Sequence, residues 1–186
     1  MIRLTSGKLK GRQLFTQKGK HTRPTLSKTR DAIFNMLMSR FDLDQFKAID
    51  LFAGSGALGF EAYSRGVNSV VFIENNLTAI QLLKKNIVHF NISDFCSPIY
   101  SDAIQFLKKN TRGNLKKLFL VDPPYQTDLI SKTISTLDLL GVAMYDSVIV
   151  LETDLKTELD YPVNFEIIKA KKFSKTQIHL VQINPL

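Results

Sequence analysis

Short apolar runs alternate with amphipathic stretches along most of this 186-residue chain. Five of these runs are predicted to be strands, at positions 48–52, 70–73, 97–100, 118–121 and 148–151. Strands that alternate with helices along a chain form parallel sheets whose two faces are both covered. The pattern therefore predicts an α/β fold with a mostly parallel sheet and helices on both faces.

The two ends of the chain depart from this alternation. Near the carboxyl end, positions 163–168 and 177–183 predict two strands joined by a lysine-rich turn at 169–175, with no room for a helix. Such a pair must be antiparallel, so we expect a seven-stranded sheet that ends in an antiparallel hairpin. Near the amino end, positions 2–5 and 9–15 alternate apolar and polar residues around Gly7, which is typical of two short strands.

One further helix is predicted between the amino end and the first strand of the sheet. Ser27 or Thr25 is placed to cap its start, after Pro24. Its apolar residues recur at helical spacing and form one face: Ile33, Phe34, Leu37, Met38 and Phe41. We expect this helix to bridge the amino-terminal segment and the body of the protein.

The composition is that of a protein with a full hydrophobic core. Hydrophobic residues make up 44% of the chain and aromatic residues 10%, which argues against disorder. Since no apolar run approaches the roughly 18 residues of a membrane-spanning helix, we expect a soluble protein. Cys96 is the single cysteine, so an internal disulfide is excluded, and with three scattered histidines we expect no metal centre.

The positive charge of the chain is concentrated at its amino end. Nine of the 25 Lys and Arg residues precede Asp31 without any acidic residue, whereas the remaining 16 are matched by 17 Asp and Glu. Clustered Lys and Arg are the electrostatic footprint of phosphate binding. We therefore predict a basic arm at 1–26 that faces nucleic acid and a separate domain at 27–186. A targeting segment or a solvated surface is the alternative interpretation of the arm.

A glycine-rich loop follows the first predicted strand of the body. Positions 54–59 fit G-x-G-x-x-G and open a helix, a context in which the backbone approaches an anionic or polar ligand closely. Glu74 ends the next strand, where a carboxylate accepts hydrogen bonds from ribose hydroxyls. These two features predict a cofactor that contains a ribose, and both a nicotinamide dinucleotide and S-adenosylmethionine meet that condition.

Two further carboxylates help to separate these cofactors. Asp50 lies four residues before Gly54, where its charge repels a pyrophosphate but attracts the cationic amine of a methionine group. Asp102 ends the third strand, where it either accepts a hydrogen bond from the adenine amine or caps the following helix. The sequence therefore favours S-adenosylmethionine.

The most specific motif is Asp122-Pro123-Pro124-Tyr125, directly after the apolar strand at 118–121. The prolines restrict the loop and leave the Pro123 carbonyl free to accept a hydrogen bond beside the Asp122 carboxylate. Tyr125 adds a flat face for stacking. This combination predicts a pocket for a planar base that carries an exocyclic amine, with both N–H bonds accepted and the proton released to Asp122.

Taken together, these motifs resemble the RsmD-type bacterial methyltransferases, as do Gly7, Gly11-Arg12 and Arg23-Pro24-Thr25. The resemblance covers nearly the whole chain. It implies a Rossmann-like class I methyltransferase fold, a monomer in the cytoplasm, and methylation of a guanine N2 amine in small-subunit (16S) ribosomal RNA or a 30S assembly intermediate, with S-adenosylmethionine as methyl donor. One departure is Phe173-Ser174, where the family commonly has Tyr-Gly.

The resemblance also implies roles for individual residues. The catalytic residues are Asp122, Pro123 and Tyr125. The residues that bind the cofactor are Asp50, Phe52, Ala53, Gly54, Ser55, Gly56, Glu74, Asn75, Asp102 and Ala103. The residues that bind the RNA substrate are Pro124, Lys8, Lys10, Arg12, Arg23 and Thr25.

Other functions remain open at this point. The pocket chemistry accepts the exocyclic amine of another RNA or DNA base as readily as guanine N2, so only the resemblance selects the base. A non-catalytic RNA-binding or ribosome-assembly protein would retain the same fold, although the intact Asp122 and Glu74 argue against it. An oxidoreductase that uses the glycine loop for a dinucleotide is the remaining alternative.

Overall fold

The computed structural model describes residues 2–16, 24–109, 116–124, 127–139 and 147–184. Within these ranges the helices are α1 (Pro24–Met38), α2 (Ala57–Ser64), α3 (Leu77–Phe90), α4 (Ala103–Lys109) and α5 (Thr127–Leu139). The strands are β1 (Ile2–Arg3), β2 (Gln13–Leu14), β3 (Phe46–Asp50), β4 (Ser69–Glu74), β5 (Cys96–Tyr100), β6 (Lys116–Val121), β7 (Ser147–Asp154), β8 (Phe165–Lys172) and β9 (Thr176–Ile183). Short 3-10 turns occupy Gly7–Leu9 and Leu43–Gln45.

Strands β3 to β9 form one seven-stranded sheet in the order β5-β4-β3-β6-β7-β9-β8. The five strands from β3 to β7 are parallel, and β9 is antiparallel to both of its neighbours. The predicted α/β architecture, with a parallel sheet and an antiparallel carboxyl-terminal hairpin, is therefore confirmed. The strand order reverses between β3 and β6, which opens a crevice at the carboxyl ends of these strands.

Alternate residues of each strand supply two separate hydrophobic cores. Ala48, Leu118 and Val148 pack with apolar residues of α1, α2 and α3, on what we call the α1–α3 face. Ile49 and Phe119, one position further along, pack with α4 and α5 on the α4–α5 face. Because side chains alternate along a strand, the face of any strand residue follows from its position relative to these two sets.

The amino-terminal segment packs against the body through apolar and polar contacts. Leu4, Leu9 and Leu14 are buried in the core of the α1–α3 face. The fully buried carboxylate of Glu61 in α2 accepts hydrogen bonds from the Thr5 backbone (3.0 Å) and hydroxyl (2.7 Å). Residues 2–16 are therefore part of the folded body, and the division of the chain at residue 26 stays a prediction.

Arginines from two helices complete the environment of Glu61. Arg30 of α1 donates from Nε to one carboxylate oxygen at 3.1 Å, and Arg65, at the end of α2, donates from Nε to the other at 2.8 Å. A buried carboxylate needs such partners, because an unpaired charge in the interior is costly. This network fixes the amino-terminal segment, α1 and α2 relative to one another.

Three local expectations were wrong. Helix α1 begins at Pro24, before both residues predicted to cap it, since a proline is well suited to a first helical turn, where its missing N–H is not needed. The amino-terminal strands are shorter than predicted, because Gly7–Leu9 forms a 3-10 turn. The lysine-rich turn is also shorter, since β8 continues to Lys172 and the Phe173 N–H bonds to the Thr176 carbonyl at 2.7 Å.

We predict that Gly7→Ala destabilises the protein more than Gly11→Ala. Both glycines have a positive φ, of 78° and 81°, so both alanine variants carry the cost of a left-handed backbone. A Cβ on Gly7 would lie 1.7 Å from the backbone oxygen of Ser64, whereas a Cβ on Gly11 meets nothing within 4 Å. The steric overlap should lower the free energy of unfolding by about 1–3 kcal/mol more in Gly7→Ala, measured by urea denaturation. Equal losses in the two variants would contradict the tight packing at Ser64.

Candidate active site

Four carboxylates lie at the carboxyl ends of adjacent strands of the sheet. Asp50 ends β3, Glu74 ends β4, Asp122 follows β6, and Glu152 lies near the end of β7. By the alternation of side chains, all four belong to the α1–α3 face, in line with its core residues in each strand. The tertiary structure therefore gathers four acidic groups at one edge and on one face, beside the crevice where the strand order reverses.

Asp50 is buried and anchors the start of helix α2. Its Oδ2 accepts a hydrogen bond from the Gly59 N–H at 3.0 Å, and the Phe52 backbone also bonds to its carboxylate. Burial raises the pKa of Asp50 from 3.8 to about 7, with a smaller contribution from repulsion by Glu74, while the two backbone hydrogen bonds oppose the shift. The surroundings of Asp50 therefore destabilise its ionised form, and a nearby cation would stabilise that form.

The glycine loop is held by the Glu74 carboxylate. Oε2 of Glu74 accepts the Gly54 N–H at 2.7 Å, and Oε1 accepts the Asn76 N–H at 2.8 Å. A carboxylate has about four acceptor positions, so these two bonds leave lone pairs for hydroxyl groups of a ligand. At Gly56, where φ is 78°, an added Cβ would lie 2.6 Å from side-chain atoms of Leu83 and of Phe60. The loop therefore requires glycine for both its backbone conformation and its packing.

The other residues predicted to bind the cofactor surround this loop. Ala53 is buried and donates its N–H to the Ile73 carbonyl at 3.0 Å, Phe52 packs partly against the α4–α5 core, and Ser55 is half-buried. Asn75 is exposed directly after Glu74. Phe52, Ala53 and Ser55 lie near Gly54 because they adjoin it in the sequence. The contacts of these residues and of Asn75 with a cofactor stay a prediction.

Asp102 caps helix α4. Its Oδ1 accepts the Gln105 N–H at 3.0 Å, and its backbone carbonyl accepts the Phe106 N–H at 2.9 Å, while Ala103 is the buried first residue of the helix. The capping interpretation of Asp102 is therefore confirmed. The second carboxylate oxygen remains for an adenine amine, and that contact stays a prediction.

The predicted base pocket begins with Asp122, followed by the buried Pro123 and the exposed Pro124. Asp122 keeps an exposed surface, yet desolvation raises its pKa from 3.8 to about 7, with further contributions from repulsion by Glu152 and then by Asp50. Both observations fit a carboxylate at the mouth of a crevice, with solvent on one side and protein on the others. Tyr125 lies outside the described residues.

Glu152 is a functional candidate that the motif analysis did not identify. In the pairing of β6 with β7, Val121 lies opposite Leu151, so that Asp122 and Glu152 come next on neighbouring strands. Burial raises the pKa of Glu152, and a hydrogen bond with the Thr176 side chain opposes this shift. The signal in the sequence was present, since Glu152 directly follows the predicted strand at 148–151 as Asp122 follows the strand at 118–121, but no motif surrounds Glu152.

The basic residues predicted to bind RNA lie elsewhere on the protein. Lys8, Lys10 and Arg12 are exposed, with Lys8 above the Tyr63 ring at 5.5 Å and Arg12 above the Phe90 ring at 5.2 Å. At 1.5 Å per residue, the Tyr63 ring is about 9 Å along α2 from the start of that helix. The Phe90 ring is about 20 Å along α3 from the start of that helix. Both helix starts border the glycine loop. The structure therefore separates Arg12 from the four carboxylates, whereas the ring beside Lys8 is only about 9 Å along α2 from the start of that helix.

The two remaining residues of the predicted RNA grip precede α1 or belong to its first turn. Arg23 lies outside the described residues, and the backbone of Thr25 lies in the first turn of α1.

In the described ranges, no group of three or more His, Cys, Asp or Glu residues is placed to hold a metal ion. In the same ranges, no helix is long and apolar enough to cross a membrane.

Sequence comparison relates this chain to proteins of known family. Residues 2–182 match the family described as Conserved hypothetical protein 95. The chain is 33% identical over 179 residues to the ribosomal RNA small subunit methyltransferase D of Buchnera aphidicola, covering 96% of this chain and 92% of that protein. It is 31% identical over 182 residues to the protein of the same name from Haemophilus influenzae, with coverages of 97% and 93%.

Structural comparison agrees. A methyltransferase structure from Escherichia coli superposes with a TM-score of 0.86 at 27% identity and covers 98% of each chain. A methylase structure from Haemophilus influenzae superposes with a TM-score of 0.84 at 29% identity and covers 99% of each chain. The similarity therefore includes the amino-terminal segment as well as the sheet.

We predict that Asp50→Asn gains stability relative to the wild type as the pH rises. The folded-state pKa of Asp50, about 7, exceeds its ordinary value of 3.8, so the stability contributed by this group is complete below about pH 4 and is lost as the pH rises through 7. Asparagine keeps an oxygen for the Gly59 N–H and carries no charge. The difference in unfolding free energy, variant minus wild type, should rise by about 2 kcal/mol between pH 5 and pH 8 in urea titrations. A difference that stays constant or falls would contradict a strained anion at this position.

Proposed function

The chain belongs to the family described as Conserved hypothetical protein 95, and from this premise we propose that it transfers a methyl group from S-adenosylmethionine to the N2 amine of a guanosine in small-subunit ribosomal RNA. Its relatives are named as methyltransferases of ribosomal RNA, and the chain is accordingly an rRNA methyltransferase. The methyl donor, the base and the residue roles are the proposed part. The observation that supports them best is the set of four carboxylates on one face beside the glycine loop.

The charge of the crevice suits S-adenosylmethionine better than a dinucleotide. S-adenosylmethionine supplies a methyl group on a positively charged sulfur and also carries a cationic amine. Asp50, whose pKa is raised, gains from a nearby cation, because an opposite charge favours the ionised form. A pyrophosphate in the same place would add negative charge to a region that already holds several carboxylates.

The residues around the glycine loop supply the contacts that this donor requires. We assign the ribose hydroxyls to the lone pairs that Glu74 retains beside its bonds to Gly54 and Asn76. We assign the methionine amine to the region of Asp50 and the loop, and the adenine amine to the second oxygen of Asp102. Each assignment uses a carboxylate that the backbone already orients, so little entropy is lost on binding.

We assign the acceptor amine to Asp122 and Pro123. The Asp122 carboxylate and the Pro123 carbonyl each accept one N–H bond of the exocyclic amine, which aligns the nitrogen lone pair toward the methyl carbon. A bound S-adenosylmethionine would supply the methyl group, and the electron pair of the broken carbon–sulfur bond would remain on its sulfur. The proton that the amine releases passes to the Asp122 carboxylate. Because a base within a helix is inaccessible, the guanosine must be unstacked to reach this pocket.

Glu152 adjusts the basicity of Asp122. An acceptor works best when its pKa is near the working pH, and the pKa of Asp122 is about 7. Desolvation supplies the largest part of this shift and the negative charge of Glu152 the next part. Glu152 is therefore a positioning residue, which acts on the proton transfer through Asp122.

We predict that the wild-type protein transfers a tritiated methyl group from S-adenosylmethionine to unmodified small-subunit ribosomal RNA, and that Asp122→Asn loses about 10²- to 10⁴-fold of this activity. Asparagine keeps the shape of the side chain and cannot take up the proton, so cofactor affinity measured by calorimetry should persist. Asp128→Asn, an exposed residue in the first turn of α5, makes the same charge change and should retain activity.

The product of this reaction distinguishes the alternatives. Mass spectrometry that finds label on guanine N2 supports the proposed base, and label on another base corrects it. Calorimetric binding of NAD without binding of S-adenosylmethionine would overturn the methyltransferase mechanism. Full activity in Asp122→Asn would remove Asp122 from the role of proton acceptor.

We predict that Glu152→Gln shifts the acidic limb of the kcat profile to lower pH. Removal of the neighbouring negative charge lowers the pKa of Asp122, so that its carboxylate is available at lower pH. Glu158→Gln removes an exposed charge from the segment after β7 and should leave the profile in place. The measurement is single-turnover methyl transfer from pH 5 to pH 9, and an unmoved acidic limb would exclude the positioning role of Glu152.

A further inference from the structure

The carboxyl-terminal hairpin presents four exposed lysines. Lys169, Lys171 and Lys172 belong to β8, at the edge of the sheet, and Lys175 lies in the turn before β9. We call these four residues the hairpin lysines. None of them takes part in the three salt bridges found within the described residues. Their positive charge is therefore exposed to solvent and is not neutralised by any of these salt bridges.

The register of the sheet places two of these lysines in line with the acidic site. Lys171 pairs with Ile178 of β9, which in turn pairs with Glu152 of β7. Residues that pair directly across antiparallel strands have their side chains on the same face. Lys171 therefore shares the α1–α3 face with Glu152, and two strand spacings separate their backbones by about 10 Å.

Lys169 extends this row. It pairs with Leu180, a core residue of the α1–α3 face that lies opposite Val150 of β7. A bulge between Ile167 and Lys169 interrupts the pairing of β8 at this point. The two lysines consequently form the rim of the α1–α3 face on the side of the sheet where Asp122 and Glu152 lie.

The turn that carries Lys175 is held in place by packing. Phe173 is partly buried against the core of the α1–α3 face, and its N–H closes the turn onto Thr176. Thr176 pairs with Asp154 near the end of β7, so the turn projects from the same edge of the sheet as the strand-end carboxylates. Lys171 also lies above the Phe173 ring, at 5.5 Å from its centroid. Packing and hydrogen bonding therefore fix the backbone that carries the hairpin lysines.

An RNA substrate requires cations at this place. The pocket itself is lined by carboxylates, which repel the phosphates on either side of an inserted nucleotide. Among the basic residues of the amino-terminal segment, Arg12 is too distant to offset this repulsion, since it lies above Phe90 at the far end of α3. Exposed charges separated by more than about 10 Å are largely screened at physiological salt. The hairpin lysines share the α1–α3 face with Glu152 and can offset part of this repulsion.

We propose that the hairpin lysines, Lys169 and Lys171 above all, bind the RNA phosphates that flank the target nucleotide and so hold that nucleotide over the Asp122 pocket. This inference rests on the proposed function, because it takes ribosomal RNA as the substrate. It assigns to the hairpin an RNA-binding surface separate from the amino-terminal segment. The alternative is that lysines on an edge strand serve only to prevent edge-to-edge pairing of sheets.

The test compares two double variants with the same charge change. Lys169→Glu/Lys171→Glu alters the hairpin, and Lys108→Glu/Lys109→Glu alters two exposed lysines in the last turn of α4, which packs on the other face of the sheet. Binding of a small-subunit ribosomal RNA fragment is measured by fluorescence anisotropy at several salt concentrations. Methyl transfer to the same RNA and calorimetric binding of S-adenosylmethionine are measured in parallel.

The hairpin variant should lose RNA affinity by about tenfold or more at 0.1 M salt, with the slope of log affinity against log salt reduced by about 2. Its KM for RNA should rise, and its affinity for S-adenosylmethionine should be unchanged. The α4 variant should remain close to the wild type in both RNA measurements. Equal losses in the two variants would show a general effect of net charge and overturn the inference, as would an unaltered hairpin variant.

Two further readouts keep the outcomes distinct. If the hairpin variant self-associates in size-exclusion chromatography, Lys169→Gln/Lys171→Gln is measured in its place. If that variant binds RNA as tightly as the wild type, the inference is overturned, and the role of these lysines is to prevent pairing at the sheet edge. If the wild-type protein binds RNA but transfers no methyl group, the proposed function fails. The RNA-binding comparison still decides whether the hairpin contributes to the contact.

Discussion

The burial and mutual repulsion of carboxylates at one edge of the sheet are the constraint on which the functional site depends. Asp50, Glu74, Asp122 and Glu152 share a face, and the pKa of Asp50 and of Asp122 is raised to about 7. Backbone N–H groups of the glycine loop and of the helix starts that follow it offset part of this cost at Asp50 and Glu74. The shape of the loop and the preference of the site for a cationic ligand therefore have one electrostatic origin.

A second buried carboxylate organises the opposite end of the α1–α3 face. Glu61 joins the amino-terminal segment to α1 and α2 through hydrogen bonds with Thr5 and ion pairs with Arg30 and Arg65. This network holds the basic segment near the ends of α2 and α3. The RNA-binding surface that we propose for the hairpin is therefore distinct from the amino-terminal segment.

The predictable parts of the site are the carboxylate residues that lie at the end of an apolar strand. Asp50, Glu74 and Asp122 were identified because each follows an apolar run, and parallel strands bring their carboxyl ends together. Glu152 was missed because no motif surrounds it, although it directly follows the predicted strand at 148–151. The start of α1 was placed too late because capping residues were preferred over Pro24, which itself occupies the first turn.

By itself, the sequence determined the order of strands and helices, the glycine loop and the Asp-Pro-Pro-Tyr motif, since each depends on hydrophobic periodicity and backbone chemistry within a few residues. Only the tertiary structure decided that Asp122, Glu152 and Lys171 lie on one face of the sheet. These residues are widely separated along the chain, and their register is set by the burial of two cores at once. A shift of one residue in any strand would turn its side chains to the opposite face, so their proximity is a property of the packed sheet.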